Sequence, residues 1–205
     1  PLAGSRVVRV TRAFLATRGS AEALARPEVL ALDPYRGGKS LDELRRALRR
    51  RRVIKLASNE NPLGPPPRAL TAARAALRDM HLYPESTYPL LRGALAGRWR
   101  VRPDQVVLGD GSNEILVLAA QAFLRPGDNA VMAAPSFSVF GHAVAGAGAR
   151  PVRVPLRGFT HDLDAMARAV NRRTRLVFVC NPNNPTGTIV GGAALERFLR
   201  SLPGS

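Results

Sequence analysis

Short apolar runs alternate with helical patterns from residue 105 to the end of the chain, and this alternation constrains the fold most strongly. Strand–helix–strand order is typical of parallel strands in one sheet with helices packed on its faces. We therefore predict an α/β fold, a three-layer sandwich with a mostly parallel sheet. Its strands are expected over residues 105–108, 130–133, 151–155 and 176–180, and its helices over residues 112–124, 136–147, 163–170 and 193–202.

The residues before position 105 show less regular patterns. An apolar run over residues 53–56 favours an edge strand that contains Lys55, and prolines and a glycine make residues 59–67 a loop. We expect a flexible N-terminal extension over residues 1–30, an arm over residues 31–64, and part of the sandwich domain over residues 65–205. Helices are predicted over residues 41–52, 67–79 and 88–99, the last ending at a packed Trp99.

Composition excludes several classes of protein. Hydrophobic residues make up 45% of the 205 residues, which is enough for a buried core, and no apolar run is long enough to cross a membrane. A single cysteine excludes a disulfide framework and a cysteine-cluster metal site, and we expect Cys180 to be a packed thiol of the last strand. His81, His142 and His161 lack metal-ligand spacing, so no metal site is predicted.

The net charge of +16 favours a nucleic-acid-binding module as one alternative. Lys39 and Lys55 are the only lysines among the 31 basic residues, and the arginines are dispersed rather than clustered in a stripe. No helix-turn-helix pattern accompanies them. We therefore expect no nucleic-acid partner, and a steep salt dependence of DNA affinity would be the sign of the alternative.

Three loops carry the residues that point to chemistry. The first, over residues 109–114, has two glycines before a helix, which exposes backbone N–H groups that suit a phosphate; Ser112 or Asn113 could cap that helix. The second, over residues 135–140, places Phe137 after a strand. The third, over residues 181–187, follows the strand that looks most buried and is rich in asparagine and proline. Taken singly, the first loop is equally compatible with a phosphate site or a tight turn. Composition favours an ordinary turn for the third loop, and a phenylalanine such as Phe137 is more often a core residue.

Together the three loops predict a binding site, because each follows a predicted strand and the carboxyl ends of parallel strands share one edge of the sheet. A phosphate cradle, a flat ring and a rigid amide suit a phosphorylated aromatic cofactor.

The third loop, Asn181-Pro182-Asn183-Asn184-Pro185-Thr186-Gly187, resembles the asparagine-proline loop of the fold-type I, pyridoxal-phosphate-dependent aminotransferases of class I/II. The match in order and spacing covers residues 32–190. The resemblance implies an incomplete large domain of that fold, preceded by an arm. Four further segments resemble the histidinol-phosphate aminotransferase branch: Pro34-Tyr35-Arg36-Gly37-Gly38, Ser58-Asn59-Glu60-Asn61-Pro62-Leu63-Gly64, Tyr83-Pro84-Glu85 and Gly109-Asp110-Gly111-Ser112-Asn113-Glu114.

The resemblance also implies roles for single residues. Phe137 would stack on the pyridine ring of pyridoxal 5'-phosphate, Asn184 would donate to its phenolate oxygen, and Tyr83 would reach the cofactor phosphate of a neighbouring subunit. The residues implied to hold the cofactor phosphate are Gly111, Ser112 and Asn113, and those implied near the substrate are Tyr35, Asn59, Glu60 and Asn61.

In that family the Schiff-base lysine lies well after the asparagine-proline loop. After Gly187 this sequence has no lysine, and Glu196 is the one acid. We therefore expect the N-terminal portion of such an enzyme, with no catalytic residue in these 205 residues, no turnover, and at most weak, non-covalent cofactor binding.

For the complete enzyme the resemblance implies a cytoplasmic homodimer that transaminates histidinol phosphate or imidazole acetol phosphate with 2-oxoglutarate in histidine biosynthesis. Its partners would be a small-molecule amino donor and a keto acceptor, with no membrane involved. A related lyase, similar to threonine-phosphate decarboxylase, stays open as an alternative.

Overall fold

The computed structural model describes residues 24–32, 38–49 and 52–203, which belong to two compact units. The described residues between 38 and 108 form one unit, and those of 24–32 and 109–203 form the other. The described residues contain eight α-helices: α1 (Pro27–Leu30), α2 (Leu41–Leu48), α3 (Pro67–Ala76), α4 (Pro89–Trp99), α5 (Gly111–Phe123), α6 (Val139–Gly146), α7 (Leu163–Ala169) and α8 (Gly192–Ser201).

A parallel sheet forms the centre of the second unit. Its strands are β1 (Asn129–Ala134), β2 (Arg150–Pro155) and β3 (Thr174–Phe178), in the spatial order β2-β1-β3. Both neighbours pair with β1 in parallel, so that Asn129 lies opposite Arg150 on one side and Thr174 on the other. The central position explains why β1 is buried along almost its whole length.

Helices cover both faces of this sheet, because successive side chains of a strand point to opposite sides. Ala130 and Met132 of β1 belong to a core with residues of α5 and α6. Val131 and Ala133 belong to a second core with residues of α7 and α8. The predicted three-layer α/β sandwich with a parallel sheet is therefore confirmed in this unit. Helix α1 packs on α6, where the Arg26 guanidinium donates to the Gly146 carbonyl.

Two predicted strands are wrong. Residues 52–57 are not part of a sheet, although Val53 and Lys55 are less exposed than their neighbours. Residues 105–108 are not a strand either: a 3-10 turn spans Pro103–Gln105, and the extended chain after it has no strand partner among the described residues. In both places an apolar run predicted a strand without predicting the partner that a strand requires.

The last strand differs from its prediction in position and in burial. Strand β3 ends at Phe178, so Val179 and Cys180 lie beyond it, and β1 rather than β3 is the most buried strand. Helix α6 begins at Val139, later than predicted, because residues 135–138 form a loop.

The unit over residues 38–108 consists of helices and loops. Ser40 caps α2 by accepting from the Glu43 N–H at 3.1 Å, and prolines occupy the first turns of α3 and α4. Among its described residues, Ala96 and Val106 are the buried hydrophobic ones. Trp99, predicted to be packed, is 62% exposed within the described chain.

No helix within the described ranges is long and apolar enough to cross a bilayer. The same part of the chain holds no cluster of histidine, cysteine and acidic residues suited to a metal ion.

Candidate functional site

The loops after β1 and β3 meet at one edge of the sheet. The Ser136 hydroxyl donates to Oδ1 of Asn183 at 2.8 Å, and Nδ2 of Asn183 donates to the Pro135 carbonyl at 3.3 Å. These bonds join the loop that carries Phe137 to the asparagine-proline loop. The predicted convergence of these two loops is therefore present.

The asparagines of the third loop differ in how their side chains are used. Asn181 binds the backbone of Val190 through both ends of its amide, at 3.0 Å each. Asn183 is only 2% exposed and also donates to Oγ1 of Thr186 at 2.7 Å. Asn184 is half-buried, and its side-chain amide has no hydrogen-bond partner among the described residues. Asn184 is therefore the amide of this loop that can serve a ligand.

The N-terminus of α5 presents free backbone donors. Gly111 has a positive φ of 78°, and its N–H donates to the Gly109 carbonyl at 2.8 Å. The next two N–H groups, of Ser112 and Asn113, have no hydrogen-bond partner in the described part of the chain. Neither side chain caps the helix, because Asp110 occupies the cap position. This turn therefore leaves two N–H groups and the Ser112 hydroxyl available for an anion.

Gly109 allows the chain to fold tightly at this turn. A Cβ at this position would lie 2.8 Å from Oε2 of Glu114 and 2.8 Å from Cδ1 of Ile115. The Glu114 carboxylate reaches back to accept from the Asp110 N–H. Glu114 therefore satisfies one donor at the helix start and leaves those of Ser112 and Asn113 open.

A cavity of about 560 Å³ lies beside this helix start. Ser112 and Phe137 both line it, together with residues at the end of β3. The Phe137 ring meets the Phe140 ring edge-on, at 5.7 Å between centroids and 87° between planes. Phe140 in turn stacks on Phe178 at 4.7 Å. Phe140 thus supports the Phe137 ring and is itself held by Phe178. The lining residues are Ser112, Ile115, Leu116, Phe137, Phe140, Val177, Phe178, Val179 and Cys180.

The prediction for Cys180 is wrong about the strand, which ends at Phe178, and is confirmed about the packing, because the thiol packs against the core that contains Met132 and Phe140. Its side chain is half-buried and lines the cavity, and its Sγ accepts from the Asn184 N–H at 3.4 Å. Its place between the predicted strand and Asn181 was the signal in the sequence, because ligands bind at the carboxyl ends of parallel strands.

None of the remaining predicted residues lies in the described part of the unit that holds this cavity. Tyr83, Asn59, Glu60 and Asn61 belong to the unit over residues 38–108, and Tyr35 lies outside the described residues. The Glu60 carboxylate accepts from the nearly buried Nζ of Lys55, and Oδ1 of Asn61 accepts from the Leu63 N–H at 3.0 Å. Tyr83 is fully exposed.

The donor set and the cavity fit a phosphorylated aromatic molecule such as pyridoxal 5'-phosphate. Open N–H groups at a helix start favour a phosphate, and the volume lies within the range of roughly 300–1,000 Å³ usual for small-molecule sites. Phe137 offers an apolar ring, and Asn184 offers a free amide at the same edge of the sheet.

Comparison with known proteins finds relatives that match most of the chain. The chain is 49% identical over 180 residues to the histidinol-phosphate aminotransferase of Moorella thermoacetica, which covers 88% of this chain and 47% of that protein. It is 50% identical over 183 residues to histidinol-phosphate aminotransferase 2 of Pseudomonas aeruginosa, covering 88% and 50%. The chain thus spans about half the length of these curated relatives.

Solved structures agree with the fold. The crystal structure of histidinol-phosphate aminotransferase from Sinorhizobium meliloti in complex with pyridoxal-5'-phosphate superposes with a TM-score of 0.78 at 29% identity, over 87% of this chain and 48% of that one. An aspartate aminotransferase of Thermus thermophilus gives a TM-score of 0.72 at 29% identity, over 86% and 50%. The family model "Aminotransferase class I and II" matches residues 51–203. The chain belongs to the class I and II aminotransferase family.

Proposed function

We propose that the protein to which these residues belong is a pyridoxal-phosphate-dependent aminotransferase acting on histidinol phosphate or imidazole acetol phosphate, with 2-oxoglutarate as the second substrate. One observation carries the proposal: the open start of α5, the Phe137 ring and the free Asn184 amide gather at one edge of the sheet. The names of the relatives support the substrate assignment. The proposed role in histidine biosynthesis supports a cytoplasmic location.

The residues proposed to bind the cofactor have distinct tasks. The N–H groups of Ser112 and Asn113 and the Ser112 hydroxyl bind the cofactor phosphate, with Gly111 providing the turn. Phe137 packs on the pyridine ring. Asn184 donates to the phenolic oxygen. When bound, the cofactor supplies the electron sink for moving an amino group.

The proposal also gives roles to residues outside the unit that holds the cavity. Asn59, Glu60 and Asn61, with Tyr35, are proposed to contact the substrate. Tyr83 is proposed to reach a cofactor phosphate in a second copy of the chain, which makes the enzyme a homodimer. The exposure of this unit supports the dimer, because large apolar side chains such as Leu56, Leu63 and Leu90 are between 85% and 94% exposed within the described chain.

A binding comparison tests the phosphate site. We expect pyridoxal 5'-phosphate to bind the 205-residue chain with a dissociation constant on the order of 0.1–1 mM, since a ligand of about 16 heavy atoms at about 0.3 kcal/mol per atom gains about 5 kcal/mol. Pyridoxal, which lacks the phosphate, should bind at least about tenfold more weakly because charge-assisted hydrogen bonds are lost. Equilibrium dialysis measures both, and inorganic phosphate should compete with the first.

Two serine variants test whether the cofactor phosphate binds at the start of α5. Ser112→Ala should weaken binding of pyridoxal 5'-phosphate about threefold to tenfold and leave pyridoxal unchanged, because one hydrogen bond to the phosphate is removed. Ser138→Ala is the control, since Ser138 is exposed and its side chain makes no cap hydrogen bond. Equal affinities for the two ligands in the unsubstituted chain would contradict the proposed site.

The chain itself should show no transaminase turnover. Its two lysines, Lys39 and Lys55, both belong to the unit over residues 38–108, and the unit that holds the cavity has none. Incubation with pyridoxal 5'-phosphate, histidinol phosphate and 2-oxoglutarate should yield no glutamate, as measured by mass spectrometry. Turnover by the purified chain would contradict this expectation.

A further inference from the structure

A tight turn after β2 touches the asparagine-proline loop at both of its ends. The turn is closed by two backbone hydrogen bonds, from the Arg157 N–H to the Thr160 carbonyl at 2.9 Å and from the Thr160 N–H to the Arg157 carbonyl at 3.1 Å. Its two central residues, Gly158 and Phe159, have positive φ values of 55° and 61°. We call residues 157–161 the turn brace.

The first contact lies just before the asparagine-proline loop. His161 is 6% exposed, and its Nε2 is 2.8 Å from the Cys180 carbonyl. Because a carbonyl only accepts, Nε2 carries the proton and donates. This bond fixes the backbone of the residue that precedes Asn181, four residues before Asn184. A histidine predicted to be a surface or fully satisfied residue is therefore a buried contact whose Nδ1 has no partner among the described residues.

The second contact lies just after Asn184. The hydroxyls of Thr186 and Thr188 donate to the Phe159 carbonyl at 2.9 and 2.7 Å. The Phe159 ring takes no part, since that side chain is 73% exposed. A bulky residue rarely adopts a positive φ, so the brace holds Phe159 in an unfavourable conformation while its carbonyl receives both hydroxyls.

Asn184 stands between these two contacts, and its side chain has no hydrogen-bond partner among the described residues. Its direction is therefore set by the backbone on either side, and both sides are tied to the turn brace. The loop also connects through Thr186 to Asn183, and from Asn183 to the loop that carries Phe137.

We propose that the turn brace is the positioning element that directs the Asn184 amide toward the phenolic oxygen of the cofactor, with His161 and Thr188 as its positioning side chains. This rests on the proposed function, because it assumes that pyridoxal 5'-phosphate occupies the cavity. The turn brace acts by keeping Asn184 ordered before the ligand arrives, so that less conformational entropy is lost when the ligand binds.

The test compares two ligands that differ only at the atom Asn184 serves. Pyridoxal 5'-phosphate carries the phenolic oxygen, and 3-deoxypyridoxal 5'-phosphate lacks it. Asn184→Ala should weaken binding of the first about fivefold to tenfold and leave the second unchanged. His161→Leu and Thr188→Val should each weaken binding of the first about threefold to tenfold and leave the second within about 1.5-fold. Equilibrium dialysis on the 205-residue chain gives all values.

Conservative variants distinguish the loss of a positioning hydrogen bond from a loss of folding. His161→Gln and Thr188→Ser keep a donor at each contact and should restore the affinity. Far-UV circular dichroism and thermal unfolding identify variants that fail to fold, and the two contacts supply independent pairs if one variant is lost.

The outcomes distinguish the two proposals. If Asn184→Ala selects between the ligands but His161→Leu and Thr188→Val do not, or if they weaken both ligands equally, the turn brace has no positioning role. If the unsubstituted chain does not bind pyridoxal 5'-phosphate, or if Asn184→Ala has no selective effect, the assignment of the cofactor site is wrong and the brace proposal is wrong with it.

Discussion

Replacing Phe140 by alanine should lower the free energy of unfolding by about 3–5 kcal/mol, the usual cost of removing a buried phenylalanine. Phe140 is 6% exposed and belongs to the core between the sheet and helices α5 and α6. Its ring contacts both Phe137 and Phe178, so the substitution also removes two aromatic contacts. Urea-induced unfolding followed by far-UV circular dichroism measures the change. Fluorescence is a poorer probe because the only tryptophan, Trp99, is 62% exposed.

Phe123→Ala provides the matched control. Phe123 is the last residue of α5 and is 63% exposed, so its removal should change stability by less than about 1 kcal/mol. Similar losses in the two variants would contradict the packing of Phe140 described above. Because Phe140 supports the Phe137 ring, the variant should also bind pyridoxal 5'-phosphate more weakly in whatever fraction remains folded.

Two neighbouring asparagines should respond in opposite ways to alanine substitution. Asn183→Ala should cost about 3 kcal/mol of stability, because the partners of a buried amide lose their hydrogen bonds: the Ser136 hydroxyl, the Pro135 carbonyl and the Thr186 hydroxyl. Asn184→Ala should leave stability within about 0.5 kcal/mol, since its amide has no partner to lose within the described chain. Thermal unfolding of the two variants, side by side, measures the contrast.

In ligand binding we expect the opposite order, with Asn184→Ala losing more affinity than Asn183→Ala. Asn184→Ala should weaken binding of pyridoxal 5'-phosphate at full stability. Asn183→Ala should weaken it less in protein that is kept folded, because Asn183 acts on the ligand only through the two loops that it joins. A destabilised Asn184→Ala, or an Asn183→Ala as stable as the unsubstituted chain, would reverse the roles assigned to these residues.

Much of the sheet could be predicted from the sequence, because its strongest signals are local. The strands over residues 129–134 and 150–155 and the helices on either side follow from apolar periodicity and from glycine and proline at their boundaries. The runs at 53–56 and 105–108 carry a similar apolar signal and do not form strands. A strand needs a second strand to hydrogen-bond with, and the sequence of an apolar run does not determine which segment that second strand is.

The candidate site, too, could be predicted from the sequence only in part. The helix start at Gly111 and the loop around Asn184 are recognisable because their residue types match their chemistry. Which asparagine is free could not be predicted from residue type alone, since Asn183 and Asn184 are the same residue and differ only in what surrounds them. The turn brace was missed for a related reason, because Phe159 acts through its backbone carbonyl and its side-chain identity carries no signal.

The central position of β1 has a consequence for the order in which the chain can fold during synthesis. Both strands that pair with β1 come later in the sequence, and Asn129 meets its partners only at Arg150 and Thr174. A nascent chain therefore exposes the apolar residues of β1 until β2 has left the ribosome, and it closes the second side only after β3. Parallel pairing of this kind is non-local and slow, so the interval before β3 emerges is when the chain is most exposed to aggregation and most dependent on chaperones.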